Sequence, residues 1–126
     1  IVRYAEKDGI PPDTAPHSFW EEADGSLWFA TGDWNLAGAG LFQFKDGRFN
    51  RFGAEAGLSN DRIIKVFKDR EGIIWIATNK GLNRLRRQII TTLSTKDGLV
   101  HNEVYPILQG RDEIFIGTVE GLSRYR

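Results

Sequence analysis

A unit of about forty residues recurs three times along this chain of 126 residues, and this repeat limits the fold more than any other feature. Gly57 and Gly98 open two copies of the unit and stand 41 residues apart. The first copy is longer, because Trp28 stands 47 residues before its counterpart Trp75. A period of about 40–45 residues with several short strands per unit is typical of β-propeller blades.

Each unit has the apolar spacing of strands. The segment 73–78 is short, rich in β-branched and aromatic residues, and bounded by Gly72 and Gly81. Asp-Gly and Glu-Gly dipeptides supply turns between such segments. No stretch of ten residues keeps the apolar spacing of an amphipathic helix. We therefore expect an all-β chain of about three four-stranded blades that form part of a larger ring or of an oligomeric ring.

The repeat assigns four strands to each unit, lettered a to d in chain order. Strand a is predicted at 18–21, 63–67 and 104–108 and strand b at 27–31, 74–78 and 114–118, and the other strands follow from the same alignment. The aromatic residue that recurs in strand b, as Trp28, Trp75 and Phe115, is predicted to pack between neighbouring blades. Residues 1–4 align with strand d, because Tyr4, Phe52 and Leu93 each precede the glycine of the next unit by five residues. The predicted organisation of the partial propeller over 1–126 is a strand d at 1–4, blades at 9–52 and 57–93, and strands a to c of a blade at 98–125.

The second unit carries the series Gly57-Leu58-Ser59-Asn60, then Asp69, then Ile74-Trp75-Ile76-Ala77-Thr78 and Gly81-Leu82. This series resembles the repeat of the two-component regulator propeller family. The third unit matches it with one residue missing near Asp112, and the first unit matches it loosely. The resemblance implies a sensory propeller on the periplasmic or extracellular side of a membrane-spanning histidine kinase or a related signalling protein. It also implies oligosaccharides as one class of sensed ligand.

Charge and composition argue against several classes of function. The 17 basic residues equal the 17 acidic ones, whereas a general nucleic-acid binder shows a basic excess. No apolar run approaches the roughly twenty residues that cross a bilayer. The chain has no cysteine, and two isolated histidines do not make a metal site. We expect no cofactor, no metal, no nucleic-acid partner and no membrane contact in this segment.

Three blades do not close a ring, because propellers have roughly four to eight. One expectation is that the chain is an excerpt of a larger ring, which the absence of methionine favours. The other is self-association through open blade edges, with residues 1–4 completing the last blade of a neighbour.

The connection between strands b and c of the first unit is six residues longer than its counterpart in the second unit. Trp34 on this glycine-rich loop could stack on a sugar face, with Asp33 and Asn35 supplying hydrogen bonds. The alternative is that Trp34 packs back on its own or a neighbouring blade. The three residues are candidate ligand contacts.

The connections between strands d and a should emerge on the same face as this loop, near the mouth of a central channel. Arg62 in the second unit and His101 and Glu103 in the third are further candidate ligand contacts. Asn60 and Asn102 are interpreted as turn formers. Adjacent carboxylates elsewhere point to opposite faces of a strand, so no catalytic residue is predicted.

Three functions stay open. The first is a non-catalytic sensory propeller that binds a small ligand, such as a glycan, and passes the change to a signalling domain. The second is a scaffold for protein–protein interaction or dimerisation, with the basic run Arg84, Arg86 and Arg87 as a contact surface. The third is an enzyme similar to the lyases built on related propellers, which requires His101 or Glu103 as a general base. The repeats and the long loop favour the first, so we do not expect an enzyme.

Overall fold

Three antiparallel sheets form the computed structural model of this protein, which describes residues 1–33, 35–36, 38–87 and 89–126. In each sheet every strand pairs with the next one along the chain. The first sheet comprises β1 (Pro16–Glu21), β2 (Leu27–Thr31), β3 (Leu41–Lys45) and β4 (Arg48–Phe52). The second comprises β5 (Ile63–Lys68), β6 (Ile74–Thr78), β7 (Gly81–Arg86) and β8 (Ile89–Leu93). The third comprises β9 (Val104–Gln109), β10 (Ile114–Thr118) and β11 (Gly121–Tyr125).

The all-β prediction is confirmed, and the strands β2, β6 and β10 have the bounds predicted for strand b. The first strand a begins at Pro16, two residues earlier than the pattern indicates. The helical segments among the described residues are three short 3₁₀ turns, at Glu6–Asp8, Ala54–Ala56 and Thr95–Asp97. The open row of sheets is consistent with part of a larger propeller.

The predicted strand at residues 1–4 is wrong, because this segment has no regular secondary structure. A strand needs a partner for its backbone groups. A strand d pairs with a strand c, and the strands c of this chain are β3, β7 and β11. Of these, β3 and β7 already pair with β4 and β8, and β11 lies in the third sheet. Tyr4 instead packs its ring on Phe44 and Phe49, with ring centroids 5.4 and 5.2 Å apart. The segment therefore covers part of the outer face of the first sheet by side-chain packing.

The sheets are held together by the aromatic residue at the second position of each strand b. Trp28 is buried with Ile63 and Ile74 of the second sheet. Trp75 is buried in the same way against the third sheet, in a cluster with Val104 and Ile114. These side chains are large, so each interface gains much of its hydrophobic stabilisation from a single indole. The prediction that both tryptophans pack between neighbouring sheets is confirmed.

The outer face of the third sheet is open. Leu122 is 64% exposed, whereas Leu41 and Leu82 at the same position of β3 and β7 are completely buried. Phe115, the counterpart of the two interface tryptophans, is half-buried on this face. The third sheet therefore presents the apolar surface with which the first and second sheets bind their successors.

Each connection that leads into a strand a is built in the same way. A 3₁₀ turn ends at Gly9, Gly57 or Gly98, and the φ angles of these glycines are 99°, 102° and 101°. Residues with a side chain rarely adopt this left-handed conformation. The recurring glycine of the repeat therefore marks the end of a 3₁₀ turn.

In the second and third sheets this connection is tied to strand c. The Ser59 N–H donates to Asn83 Oδ1 at 2.9 Å, and the Val100 N–H donates to Ser123 Oγ at 3.0 Å. Asn83 is completely buried, so this bond also satisfies a polar side chain in the core.

The first sheet lacks both halves of this bond. Pro11 occupies the position of Ser59 and has no N–H to donate. Phe42 occupies the position of Asn83, has no acceptor, and stacks on Phe29 with centroids 5.3 Å apart. Donor and acceptor are thus absent together, and an apolar contact replaces the polar one.

Candidate functional site

The long loop between β2 and β3 lies directly on the connection that precedes β5. The Gly40 N–H donates to the carbonyl oxygen of Asp61 at 2.9 Å. A Cβ on Gly32 would lie 3.0 Å from the nitrogen of Ile63, and a Cβ on Gly38 would lie 2.8 Å from the oxygen of Asp61. The close approach therefore requires glycine at these two positions. The expectation that the two connections share a face holds for this pair of sheets.

Arg51 on β4 fastens the two connections together. Its Nε donates to the carbonyl oxygen of Ala39 at 2.6 Å, and its Nη2 donates to Asp61 Oδ2 at 2.9 Å. Asp61 Oδ1 accepts the Ala54 N–H at 3.1 Å, which adds the 3₁₀ turn to the same group. Sequence reasoning missed Arg51, because a strand d arginine looks like an ordinary exposed residue until its neighbouring loops are known.

The change Arg51→Met is expected to loosen the long loop while leaving the sheets folded. The lost bonds are charge-assisted but partly solvated, so we expect roughly a three- to tenfold faster exchange of the Gly40 amide. Hydrogen exchange followed by NMR measures this rate. The matched control is Arg48→Met, which removes an exposed arginine of the same strand outside the loop. Equal protection of the Gly40 amide in both variants would contradict the role of Arg51.

Asp33 shapes the tip of the long loop. Its Oδ1 accepts the Leu36 N–H at 2.6 Å and the Asn35 N–H at 2.7 Å. These two bonds hold the pKa of the Asp33 carboxyl below its ordinary value, with smaller contributions from the charges of Arg62 and His17. The bonds contribute fully to loop stability above the ordinary pKa and weaken only as pH falls through the lowered one. Asp33 Oδ2 has no hydrogen-bond partner among the described residues.

Arg62 lies beside this carboxyl. Its backbone N–H donates to Asn60 Oδ1 at 2.8 Å, as the turn-forming interpretation of Asn60 requires. The Arg62 side chain is half-buried, and within the described part of the chain its guanidinium makes no hydrogen bond. Asp33 is thus bonded to the Asn35 N–H and close enough to Arg62 for the arginine charge to lower the pKa of its carboxyl.

His17 belongs to the same neighbourhood, and sequence reasoning dismissed it. Its Nε2 lies 2.9 Å from the carbonyl oxygen of Ile63, which can only accept, so Nε2 donates. Its Nδ1 lies 2.8 Å from Ser18 Oγ. The ring therefore bridges the innermost strands of two sheets. No sequence signal pointed to it, because Ile64 and Tyr105 occupy the equivalent positions of β5 and β9.

The predicted contacts in the third unit make their recorded hydrogen bonds within their own connection. His101 Nδ1 accepts the Glu103 N–H at 3.0 Å, and Asn102 Oδ1 accepts the Thr95 N–H at 2.8 Å. Desolvation raises the pKa of Tyr105, and the neighbouring charge of Glu103 raises it further. Among the described residues, no hydrogen bond or ion pair joins His101 or Glu103 to Asp33 or Arg62. Trp34 lies outside the described residues, and its role as a ligand contact stays a prediction.

One further polar atom on this face is unusual. Asn79 stands after β6 at the position that Gly32 occupies after β2, and its Oδ1 is buried without a hydrogen-bond partner among the described residues. A buried acceptor without a partner costs free energy, so it is a natural point for a donor from a bound molecule.

Two larger cavities lie on the opposite face, away from all of these residues. One, of about 490 Å³, lies between the first and second sheets and is lined by Glu22, Trp28 and Arg87 among others. The other, of about 610 Å³, lies between the second and third sheets and is lined by Arg84 and Tyr125 among others. Cavity size and the predicted contacts therefore point to different faces of the molecule.

Neither a metal site nor a membrane span is found in the described ranges. They hold no group of three or more His, Cys, Asp or Glu side chains placed to bind a metal ion. They also hold no helix with the length and apolar character needed to cross a bilayer.

Comparison with known families gives a match at residues 57–80, to the model described as the two component regulator propeller. Residues 57–80 match the two-component regulator propeller repeat. The matched residues run from the glycine after the second 3₁₀ turn to the turn that follows β6, and they include Trp75 of the sheet interface. The resemblance inferred from the sequence is confirmed.

Solved structures share the fold of this propeller-repeat chain. One is described as the extracellular domain of a hybrid two component system, BT3049, from B. thetaiotaomicron, with a TM-score of 0.73 and 20% identity over 99% of this chain. Another is described as the extracellular domain of a one component system, BT4673, from the same organism, with a TM-score of 0.66 and 14% identity over 86% of this chain. The match spans 17% and 14% of those two domains.

A third structural relative of the propeller-repeat chain is an enzyme. Virginiamycin B lyase from Staphylococcus aureus superposes with a TM-score of 0.60 and 16% identity, over 90% of this chain and 41% of the lyase. The comparison with curated proteins gives no match to this chain. The similarities establish the fold, which occurs in extracellular domains of one- and two-component systems and in a lyase.

Proposed function

We propose that this chain is a non-catalytic, ligand-sensing segment of a signalling propeller that lies outside the cytoplasmic membrane. The observation that carries the proposal is the docking of the long loop on the connection before β5, which places Asp33 and Asn35 beside Arg62. The propeller repeat and the sensor domains of similar fold support the signalling role.

The ligand that suits this surface is an oligosaccharide. Sugar hydroxyls both donate and accept, so they complement a carboxylate oxygen and a guanidinium that belong to neighbouring connections. The Asp33 carboxyl is charged at neutral pH, and its lowered pKa extends the charged state to more acidic conditions. Trp34, next to Asp33 in the sequence, adds an aromatic ring of the kind that stacks on sugar faces.

A lyase-like reaction has little support, although a lyase shares the fold. His101, one of the two residues that could serve such a reaction as a general base, accepts the Glu103 N–H at Nδ1, so its neutral ring carries the proton on Nε2. A ring in this state donates a proton at its remaining nitrogen and cannot remove one there. Glu103, the other residue that could serve as a general base, lies against Tyr105.

Binding to an array of neutral and acidic oligosaccharides tests the proposal. The protein is expected to retain at least one glycan, and the double variant Asp33→Asn/Arg62→Gln is expected to bind it about tenfold or more weakly. The matched control His101→Ala/Glu103→Gln changes polar groups on the same face outside the cluster and should bind normally. Failure of the protein to retain any glycan, or full binding by the cluster variant, would contradict the proposal.

A further inference from the structure

We propose that the groove between the second and third sheets, on the face opposite the candidate ligand contacts, binds an extended acidic peptide segment that carries apolar side chains. The groove measures about 610 Å³. It opens into a shallower depression of about 330 Å³, because Arg84 and Arg86 line both. The two together make a continuous surface, which is named the arginine groove here.

Unpaired cations characterise this surface. Five arginines line the arginine groove or its depression without an ion pair to any described residue, and they are Arg70, Arg84, Arg86, Arg87 and Arg111. Their few side-chain bonds go to neutral groups. Arg84 Nη1 donates to Tyr125 Oη at 3.1 Å, and Arg70 Nη1 donates to the carbonyl oxygen of Arg111 at 3.3 Å. Guanidinium groups prefer carboxylate partners, which bind them in a bidentate manner.

The carboxylates nearby are engaged elsewhere or too few. Asp69 Oδ1 accepts the N–H groups of Glu71 and Ile73, and its Oδ2 accepts Trp75 Nε1 at 2.9 Å. Glu113 Oε2 is shared by the side chains of Arg124 and Arg126, each at 3.3 Å. Glu71 and Asp112 also line the groove without an ion pair to a described residue, and the six arginines along the groove and its depression outnumber its four carboxylates.

The equivalent groove between the first and second sheets shows that this charge is not imposed by the fold. Gln43 stands there at the position of Arg84. The lysines beside that groove are paired, Lys45 with Asp24 at 2.9 Å and Lys68 with Glu22 at 3.8 Å. The cations that the first sheet and Lys68 bring to that groove are therefore paired, although Arg86 and Arg87 also line it.

The floor of the arginine groove favours a peptide over a uniform polyanion. The accessible aromatic ring there is that of Tyr125, which is 36% exposed and packs edge to face on the buried Trp75 with centroids 5.2 Å apart. Ile73 and Ile114 line the same cavity. An aromatic floor with an arginine rim is the composition of protein–protein hot spots. Asp112 and Glu113 also line the groove and would repel a chain that is anionic at every unit. A segment that alternates carboxylates with apolar side chains would place the carboxylates against the arginine rim and the apolar side chains against the floor.

Fluorescence anisotropy with a fluorescein-labelled peptide of alternating glutamate and phenylalanine tests this proposal. The protein is expected to bind the peptide in a saturable, salt-sensitive manner, and to bind a version with glutamine in place of glutamate about tenfold or more weakly. The variant Arg84→Gln/Arg86→Gln should lose at least a similar factor. The control Arg3→Gln/Arg48→Gln removes the same charge from exposed positions near the first sheet and should bind normally.

Three results would overturn the proposal. They are the absence of saturable binding of the glutamate peptide, equal losses in the two double variants, and tighter binding of sulfated dextran than of the peptide. The last result would identify a general polyanion surface. Near-UV circular dichroism reports the packing of Trp75 and its neighbours. An unchanged spectrum shows that a variant keeps its fold. The Asp33→Asn/Arg62→Gln variant should bind the peptide normally, so the outcome is independent of the proposed glycan site.

Discussion

Replacement of Trp75 by alanine is expected to lower the free energy of unfolding by about 3–5 kcal/mol. The indole is 1% exposed and lies between the second and third sheets, so its removal leaves a cavity that the surrounding strands fill only in part. The change also removes the hydrogen bond from Trp75 Nε1 to Asp69 Oδ2. A loss of this size is a large fraction of the about 5–15 kcal/mol by which a small domain is stable. Urea unfolding followed by circular dichroism measures the loss.

The control for this experiment is Phe115→Ala at the same position of the third sheet. Phe115 is half-buried on an open face, so its loss should cost no more than about 1–1.5 kcal/mol in this chain. Similar costs for the two variants would show that the sheet interface does not depend on the recurring aromatic residue.

The change Asn83→Leu is expected to lower the free energy of unfolding by about 2–4 kcal/mol, although it makes the buried position more apolar. Asn83 Oδ1 accepts both the Ser59 N–H at 2.9 Å and Thr92 Oγ1 at 3.0 Å, and its Nδ2 donates to Ser59 Oγ at 2.8 Å. Leucine at this completely buried position would leave the Ser59 N–H without its acceptor, whereas Ser59 Oγ and Thr92 Oγ1 keep Thr78 Oγ1 and the carbonyl oxygen of Gly57 as partners. Equilibrium unfolding gives the total effect, and hydrogen exchange at the Ser59 amide gives its location.

Asn83→Ser is the matched control, because the third sheet uses Ser123 at this position and its hydroxyl accepts the Val100 N–H at 3.0 Å. The serine variant should lose about half as much stability as the leucine variant and keep part of the protection at Ser59. If the leucine variant is as stable as the natural chain, the buried bond contributes nothing and the argument is wrong.

The strands were predictable because each one is fixed by local pattern and by the repeat. The segment 74–78 is apolar, β-branched and bounded by glycines, and it forms β6 with the predicted bounds. The recurring aromatic at this strand similarly identified the sheet interface, because a large apolar side chain at a fixed blade position has few other places to go. The pattern failed at residues 1–4, where a strand needs a partner that the local sequence does not reveal.

The candidate site was predictable only in part. Loop length and the shared face of the connections pointed to Asp33, Asn35 and Arg62, and these residues do lie together. The same reasoning grouped His101 and Glu103 with them, but those residues belong to the next connection and bond locally. Arg51 and His17 act across sheets, so their contacts depend on how two sheets are placed and not on the spacing within either. Contacts between sheets of this kind produce no periodic pattern in a single sequence.

In the first unit Pro11 has no N–H to donate and Phe42 has no acceptor, and this paired difference has a consequence for protein engineering. The first unit differs from the others at two positions 31 residues apart in the sequence that meet in space, so neither position can be exchanged alone. A chimaera that grafts the connection with Ser59 onto the first sheet would bury an amide against the ring of Phe42. One that grafts only the strand with Asn83 would leave its amide facing a proline. Exchanges between units of this chain should therefore carry a connection and its strand c as one module, with the joints placed outside that pair.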